Sequence, residues 1–222
     1  MIPFDHTLPR FPHTLFIARH AQSFDPTVFH GFESDIHLGA IGDAQALAFS
    51  KRPDLAEIDL LVSSGQRRSM QTLEPLAKKL GLPIHSIPGF HERRVGILQG
   101  TPVSSSASLF SQTRKEWALG NKDHTTEGAE SYFQVRKRVL GAIDHLFDLC
   151  HQLGSNQPLV VSHGLTMKIL LLERMLEGNA SRWDELGPIE NTSLWAIDFP
   201  HQTSWNPRIH GCLSHLDQKP FI

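Results

Sequence analysis

Three short apolar runs in this chain stop abruptly in small polar or cationic residues, and that repeated design constrains the fold more than any other feature. Leu15-Phe16-Ile17-Ala18 runs into Arg19-His20, Leu60-Leu61-Val62 into Ser63-Ser64, and Leu159-Val160-Val161 into Ser162-His163-Gly164. A strand covered on both faces reads as such a continuous apolar run, which is the habit of parallel sheets sandwiched between helices. Between the runs the pattern changes to helical spacing. Ile41, Ala44, Leu47 and Ala48 recur over residues 41–51, residues 69–80 precede Gly81, and residues 130–153 carry a broad apolar face ahead of Gly154. A further helix is predicted over residues 165–176, with further strands over 83–87 and 193–199. Strands alternating with helices predict the α/β class: a three-layer α/β/α sandwich around a mostly parallel central sheet.

Open α/β sheets bind ligands beyond the carboxyl ends of their strands. Arg19-His20, Ser63-Ser64 leading to Arg67-Arg68, and Ser162-His163 are therefore expected on one rim. The chain has 222 residues and a formal net charge of -2, so it offers no overall positive field for nucleic acid or an anionic membrane. Two imidazoles and up to three guanidiniums in one pocket then signify a local site for a multiply charged oxyanion, and phosphate fits best. Arginine presents a rigid fork that matches phosphate oxygens, and the helix starting after Gly164 would add backbone N–H groups and a positive dipole end. Each element alone is ordinary. A histidine after a strand is usually structural, and Glu92 within His91-Glu92-Arg93-Arg94 reads by itself as a solvated ion pair worth ~0–1 kcal/mol.

Taken together, four motifs in order resemble the histidine phosphatase superfamily, the phosphoglycerate mutase-like family. They are Arg19-His20-Ala21-Gln22-Ser23, Ser63 to Thr72 with Arg68 ahead of Gln71-Thr72, Glu92 to Gly100, and Val160-Val161-Ser162-His163-Gly164. Weaker matches lie at residues 38–46, 128–131 and 191–193, so the resemblance spans about residues 12–200. It implies that His20 is the nucleophile and becomes a phosphohistidine, that Arg19, Arg68 and His163 bind phosphate, and that Glu92 is the proton donor. His163 counts in this scheme as both a catalytic and a phosphate-binding residue, and Gln22 and Ser23 are candidate substrate contacts. Arg68 is preferred to Arg67, which is expected at the surface. No metal and no cofactor are assigned. The expected partner is a small phosphorylated substrate, with neither nucleic acid nor membrane, for a chain acting as a monomer or homodimer.

Departures from the family pattern refine this expectation. Ala21 stands where the family has glycine, and a left-handed backbone there would cost an alanine about 1 kcal/mol. The mutase branch has an asparagine and a tyrosine where this chain has Pro26 and Val95, and a double arginine with a Pro-rich lid is not seen in Arg114-Lys115-Glu116-Trp117. These differences favour a metal-independent phosphomonoesterase of the histidine acid phosphatase type. A phosphoglycerate mutase, suggested by Gly96 to Gly100, and a phospholigand-binding regulatory protein of low activity are the alternatives. Residues 101–127 are read as a small helical cap insertion on a single domain, with Phe110, Trp117 and Tyr132 as apolar contacts for the leaving group or, equally, as core. Ser162-His163 lacks the Gly-x-Ser-x-Gly elbow of a serine hydrolase. His210, Cys212 and His215 lack the fourth ligand of a recognised metal motif. Two widely spaced cysteines, a start without a basic and apolar leader, and no apolar run near the roughly 20 residues of a membrane span point to the cytoplasm.

Overall fold

The computed structural model describes residues 11–199 and 204–216. In chain order the elements are β1 (Thr14–Arg19), α1 (Ala40–Ser50), β2 (Leu60–Ser63), α2 (Arg67–Leu80), β3 (Ile84–Ser86), α3 (Val103–Ala118), α4 (Tyr132–Leu153), β4 (Pro158–Ser162), α5 (Gly164–Met175), β5 (Leu194–Asp198) and β6 (Asn206–Cys212). The six strands form one sheet in the order β3-β2-β4-β1-β5-β6. The first four are parallel, and β5 and β6 run antiparallel at one side.

Alternation along the strands makes the three layers. On one face Leu15, Ile17, Val62, Val160 and Ile197 meet Val139, Ile143, Leu146 and Phe147 of α4 and Met167, Leu170 and Leu171 of α5. On the other, Phe16, Ala18, Leu61, Leu159, Val161 and Ala196 meet Phe49 of α1 and Leu73 and Leu76 of α2. Burial on both faces is why these strands read as unbroken apolar runs. The helices are bounded by local chemistry. Ser131 and Gln134 close a reciprocal capping box at the start of α4, and Gly154 and Gly81 end α4 and α2 in the left-handed conformation.

Register then positions the site. Ile17 lies opposite Val160 and Arg19 opposite Ser162, so Arg19-His20 and Ser162-His163 leave the sheet side by side. One expectation needs adjustment. The third strand is only Ile84–Ser86. Residues 206–212 supply β6, an edge strand whose residues are none of them fully buried and so carry little apolar signal. The serine-rich patch at 104–108 opens α3, which packs against the 3-10 segment Ala180–Leu186. Among the described residues no helix is long and apolar enough to cross a membrane.

Candidate active site

His20 follows the last residue of β1 and is held by its backbone on both sides. Its N–H donates to the Ser162 carbonyl at 2.9 Å, and its carbonyl accepts from Asn191 Nδ2 at 2.8 Å. Its ring Nδ1 lies 2.6 Å from the Ala21 carbonyl. A carbonyl only accepts, so Nδ1 carries the proton and Nε2 carries the lone pair. Burial above all, then the charges of Arg68 and Arg19, hold the His20 pKa well below the usual imidazole value, so the ring is neutral at neutral pH. Ala21 corrects one expectation. Its backbone is not left-handed, since Glu177 and Thr192 are the non-glycine residues with positive φ among those described. Its N–H donates to Thr72 Oγ1 at 2.9 Å, and its methyl group packs in a buried cluster with Leu38 and Ala46.

The two arginines are bound very differently. Arg68, fully buried at the start of α2, donates through Nη1 to Ser34 O at 2.6 Å, through Nη2 to Gly31 O and Gln66 Oε1, and through Nε to His163 Nδ1 at 3.2 Å. Burial lowers its pKa to about 10, which leaves it charged. Arg19 instead keeps a largely free fork. Nη1 donates to Ile189 O at 2.8 Å, and its buried Nε has no partner among the described residues. Gly164 faces that guanidinium, and a Cβ at Gly164 would already touch Arg19 Nε at 3.5 Å. Arg67, by contrast, is exposed, its backbone N–H donating to Asp35 Oδ1.

His163 sits behind this pair and not on the cleft wall. Its ring centroid is 4.9 Å from that of His20, and both its nitrogens have protein partners. Nδ1 accepts from Arg68, so Nε2 carries the proton and donates to Ser64 Oγ at 2.7 Å. Burial and the Arg68 charge depress its pKa well below the usual value. Ser64 is the site residue whose job sequence reasoning missed. Its hydroxyl bonds that of Ser69 at 2.8 Å, which donates to Gln66 O, so the start of α2 and the His163 ring form one hydrogen-bonded unit.

Glu92 differs most from its sequence environment. It makes no ion pair with Arg93 or Arg94: Arg93 Nε donates to Glu130 O, and the Arg94 guanidinium lies 4.0 Å from the Phe32 ring centroid. The Glu92 carboxylate accepts instead from the N–H groups of Arg93 (2.8 Å), Leu165 and Thr166 (both 3.2 Å) and from the Thr166 hydroxyl. The first N–H groups of α5, expected to receive substrate phosphate, thus receive this carboxylate, the nearest anion to a helix N-terminus. Arg138 steadies the segment from behind. It is paired bidentately with Glu130 and donates to the carbonyls of Gly89 and His91.

Arg19, His20, Gln22, Ser23, Arg68 and Glu92 all line one cleft of about 490 Å³. Its outer wall is apolar and includes Pro26, Val28, Phe29, Val95, Val103, Phe110 and Trp183. Of the three aromatics weighed from sequence, Phe110 is in this wall, whereas Trp117 and Tyr132 are buried together in a satellite core. His210 lies against Trp195, Cys212 and His215 meet Arg52, and none of the three is among the residues lining the cleft. No group of three histidine, cysteine or acidic side chains able to hold a metal is present among the described residues.

Sheet order and this grouping define an α/β protein with an imidazole, two guanidiniums and a carboxylate at the rim of its parallel strands. The model of the histidine phosphatase superfamily (branch 1) matches residues 15–209, and the chain belongs to that superfamily, whose enzymes include phosphatases and mutases. The probable phosphoglycerate mutase GpmB of Yersinia enterocolitica is 26% identical over 212 residues, covering 91% of this chain and 94% of the relative. Among solved structures, native mycobacterial glucosyl-3-phosphoglycerate phosphatase Rv2419c matches with a TM-score of 0.77 at 22% identity, over 90% of this chain and 99% of the other. The alpha-ribazole phosphatase of Shigella flexneri matches with a TM-score of 0.72 at 20% identity, over 90% and 96%. These structural likenesses show a shared fold.

Proposed function

We propose that the protein is a phosphomonoester hydrolase that works through a phosphohistidine on His20. The observation that carries this reading is the His20 ring itself: neutral, fixed by Nδ1–H on the Ala21 carbonyl, and set beside Arg19, whose fork is largely free. In the first step the Nε2 lone pair attacks phosphorus, the P–O bond to the leaving group breaks, and Glu92 in its acid form protonates the departing oxygen. In the second, Glu92 as carboxylate takes a proton from water, the water oxygen attacks phosphorus, and the N–P bond breaks to release inorganic phosphate. Arg19 holds the equatorial oxygens. Arg68 adds charge and holds the 31–34 loop, and His163 acts chiefly by fixing Arg68. The chain's own cations thereby supply the charge neutralisation that phosphoryl transfer needs, without recourse to a metal ion.

Hydrolysis is favoured over mutase chemistry because Pro26 and Val95, at the positions of the mutase branch's polar residues, both line the cleft and give its outer wall an apolar character. We read α3 and the turns to residue 127 as a cap that selects the leaving group, on one domain in a reducing cytoplasm. Both cysteines, Cys150 and Cys212, are free thiols. Purified protein incubated with p-nitrophenyl phosphate and excess chelator should turn over and lose that turnover in His20→Ala. Chelator-sensitive turnover, or an active variant, sinks the proposal. Coupled conversion of 3- to 2-phosphoglycerate without ester hydrolysis would replace it with the mutase reading.

A further inference from the structure

Lys168 is a buried cation in the cleft that the proposed chemistry does not use. It stands on α5 four residues after Gly164, one helical turn and about 6 Å further along the same face. Gly164, Leu165 and Lys168 all contribute to the cleft wall. Only 5% of the residue is exposed, yet its ammonium makes no ion pair among the described residues. One of its three donors goes to the Gly187 carbonyl, and the charge lies 5.4 Å from the Trp183 ring centroid. The charged groups that act on it are Asp184 and Arg114, which are paired with each other at 3.3 Å. Burial lowers its pKa to about 8, so it stays largely protonated at neutral pH. A desolvated ammonium with donors to spare is costly to maintain, and a ligand anion relieves that cost.

We propose that Lys168 is a second anchor of the cleft, binding a carboxylate on the leaving group of a phosphomonoester whose apolar body lies against Phe29, Phe110 and Trp183. The cleft is far larger than a phosphate group and falls in the range that encloses a small organic molecule. Two acidic side chains line it, Glu92 and Glu190, and both act on Arg19 while neither acts on Lys168. Asp184, the acidic group that does act on Lys168, is already paired with Arg114, so an added negative charge meets less opposition on the Lys168 side than beside Arg19. One ammonium neutralises one carboxylate, whereas a second phosphate dianion would leave uncompensated charge among apolar side chains.

This proposal rests on the hydrolase reading, and its test separates the two. Calorimetric binding of 4-(phosphonomethyl)benzoate and of 4-(phosphonomethyl)benzamide, which cannot turn over, reads the second anchor without any chemistry. The wild-type protein is expected to bind the carboxylate at least about tenfold more tightly than the amide. In Lys168→Met, which keeps the aliphatic stem against Trp183, that preference should collapse to within about twofold, and likewise in Lys168→Gln. Equal binding of the two compounds by the wild type, or a preference that survives both substitutions, overturns the anchor. Parallel turnover of 4-carboxyphenyl and 4-carbamoylphenyl phosphate reads the hydrolase: no phosphate release despite the binding preference overturns that reading and leaves the anchor standing.

Discussion

Replacing Glu92 by glutamine should separate the two halves of the proposed reaction. Its Oε1 accepts from three donors and its Oε2 accepts from Leu165 N–H at 3.2 Å. A glutamine can keep its oxygen on the first set, but its amide nitrogen then faces the Leu165 N–H donor to donor. One partly buried donor left unpaired costs about 1–3 kcal/mol, and losing a negative charge at a helix start adds about 0.3–1 kcal/mol. At roughly 2–4 °C per kcal/mol for a chain of this size, Tm should fall by about 3–16 °C. The protein should remain folded at 25 °C. Loss of general acid–base catalysis is worth about 10²–10⁴-fold, and its distribution is diagnostic. An alkyl phosphate needs its leaving oxygen protonated, so turnover should fall by the full factor at the first step. A p-nitrophenyl ester leaves without that help, so the variant should still phosphorylate His20 and then stall for want of a base. Rapid mixing with p-nitrophenyl phosphate should show a burst of about one nitrophenolate per protein followed by slow release. Equal losses on both esters with no burst would refute the assignment of Glu92 to both steps.

Other consequences are direct. Ser64→Ala leaves the buried His163 Nε2–H without its acceptor, so Tm should drop by several degrees, from a cost of about 1–3 kcal/mol; kcat should fall with it as Arg68 loses its steady partner, and unchanged kcat would show that the relay carries nothing. Ala21→Gly, which restores the family's residue, should destabilise by about 1 kcal/mol and should not raise kcat, because the position is not left-handed and its methyl is packed. The pH dependence follows from His20 and His163, whose folded pKa values both lie well below 6.5. Below that value the unfolded chain takes up protons that the folded chain refuses. Stability should therefore fall as pH drops below 6.5, with a slope of up to about 1.4 kcal/mol per pH unit for each histidine, and be insensitive to both above pH 7. Urea midpoints that stay level over that interval would count against two neutral buried rings.

Much of this was legible because β1, β2 and β4 are covered on both faces and end at one rim. The choice of Arg68 over Arg67 rested on motif position, and the structure buries the first and exposes the second. What stayed hidden depends on partners distant in sequence. Ser64 meets His163 across 99 residues, and Glu92 meets the start of α5 across more than 70. Nothing local marks either. Trp117 was open between pocket and core because an aromatic at helical spacing suits both; its indole N–H donates to His124 O and its ring joins Tyr132 and Trp183 inside. Lys168 interrupts Thr166-Met167-Lys168-Ile169-Leu170 in the manner of a surface residue, and its contacts with Trp183 and Gly187, distant in sequence from α5, accompany its burial. The tail strand β6 lacked a buried face from which its period might have been read.

The central claim is that His20 carries the phosphoryl group. Wild-type protein and Glu92→Gln should be mixed with a phosphorus-labelled aryl phosphate, quenched in alkali, and digested for peptide mass spectrometry. Up to one label per chain is expected, on the ring of His20, stable in base and lost in acid, more abundant in the glutamine variant and absent from His20→Ala. No label, or an acid-stable label on Ser64, Ser162 or any other residue, contradicts the account.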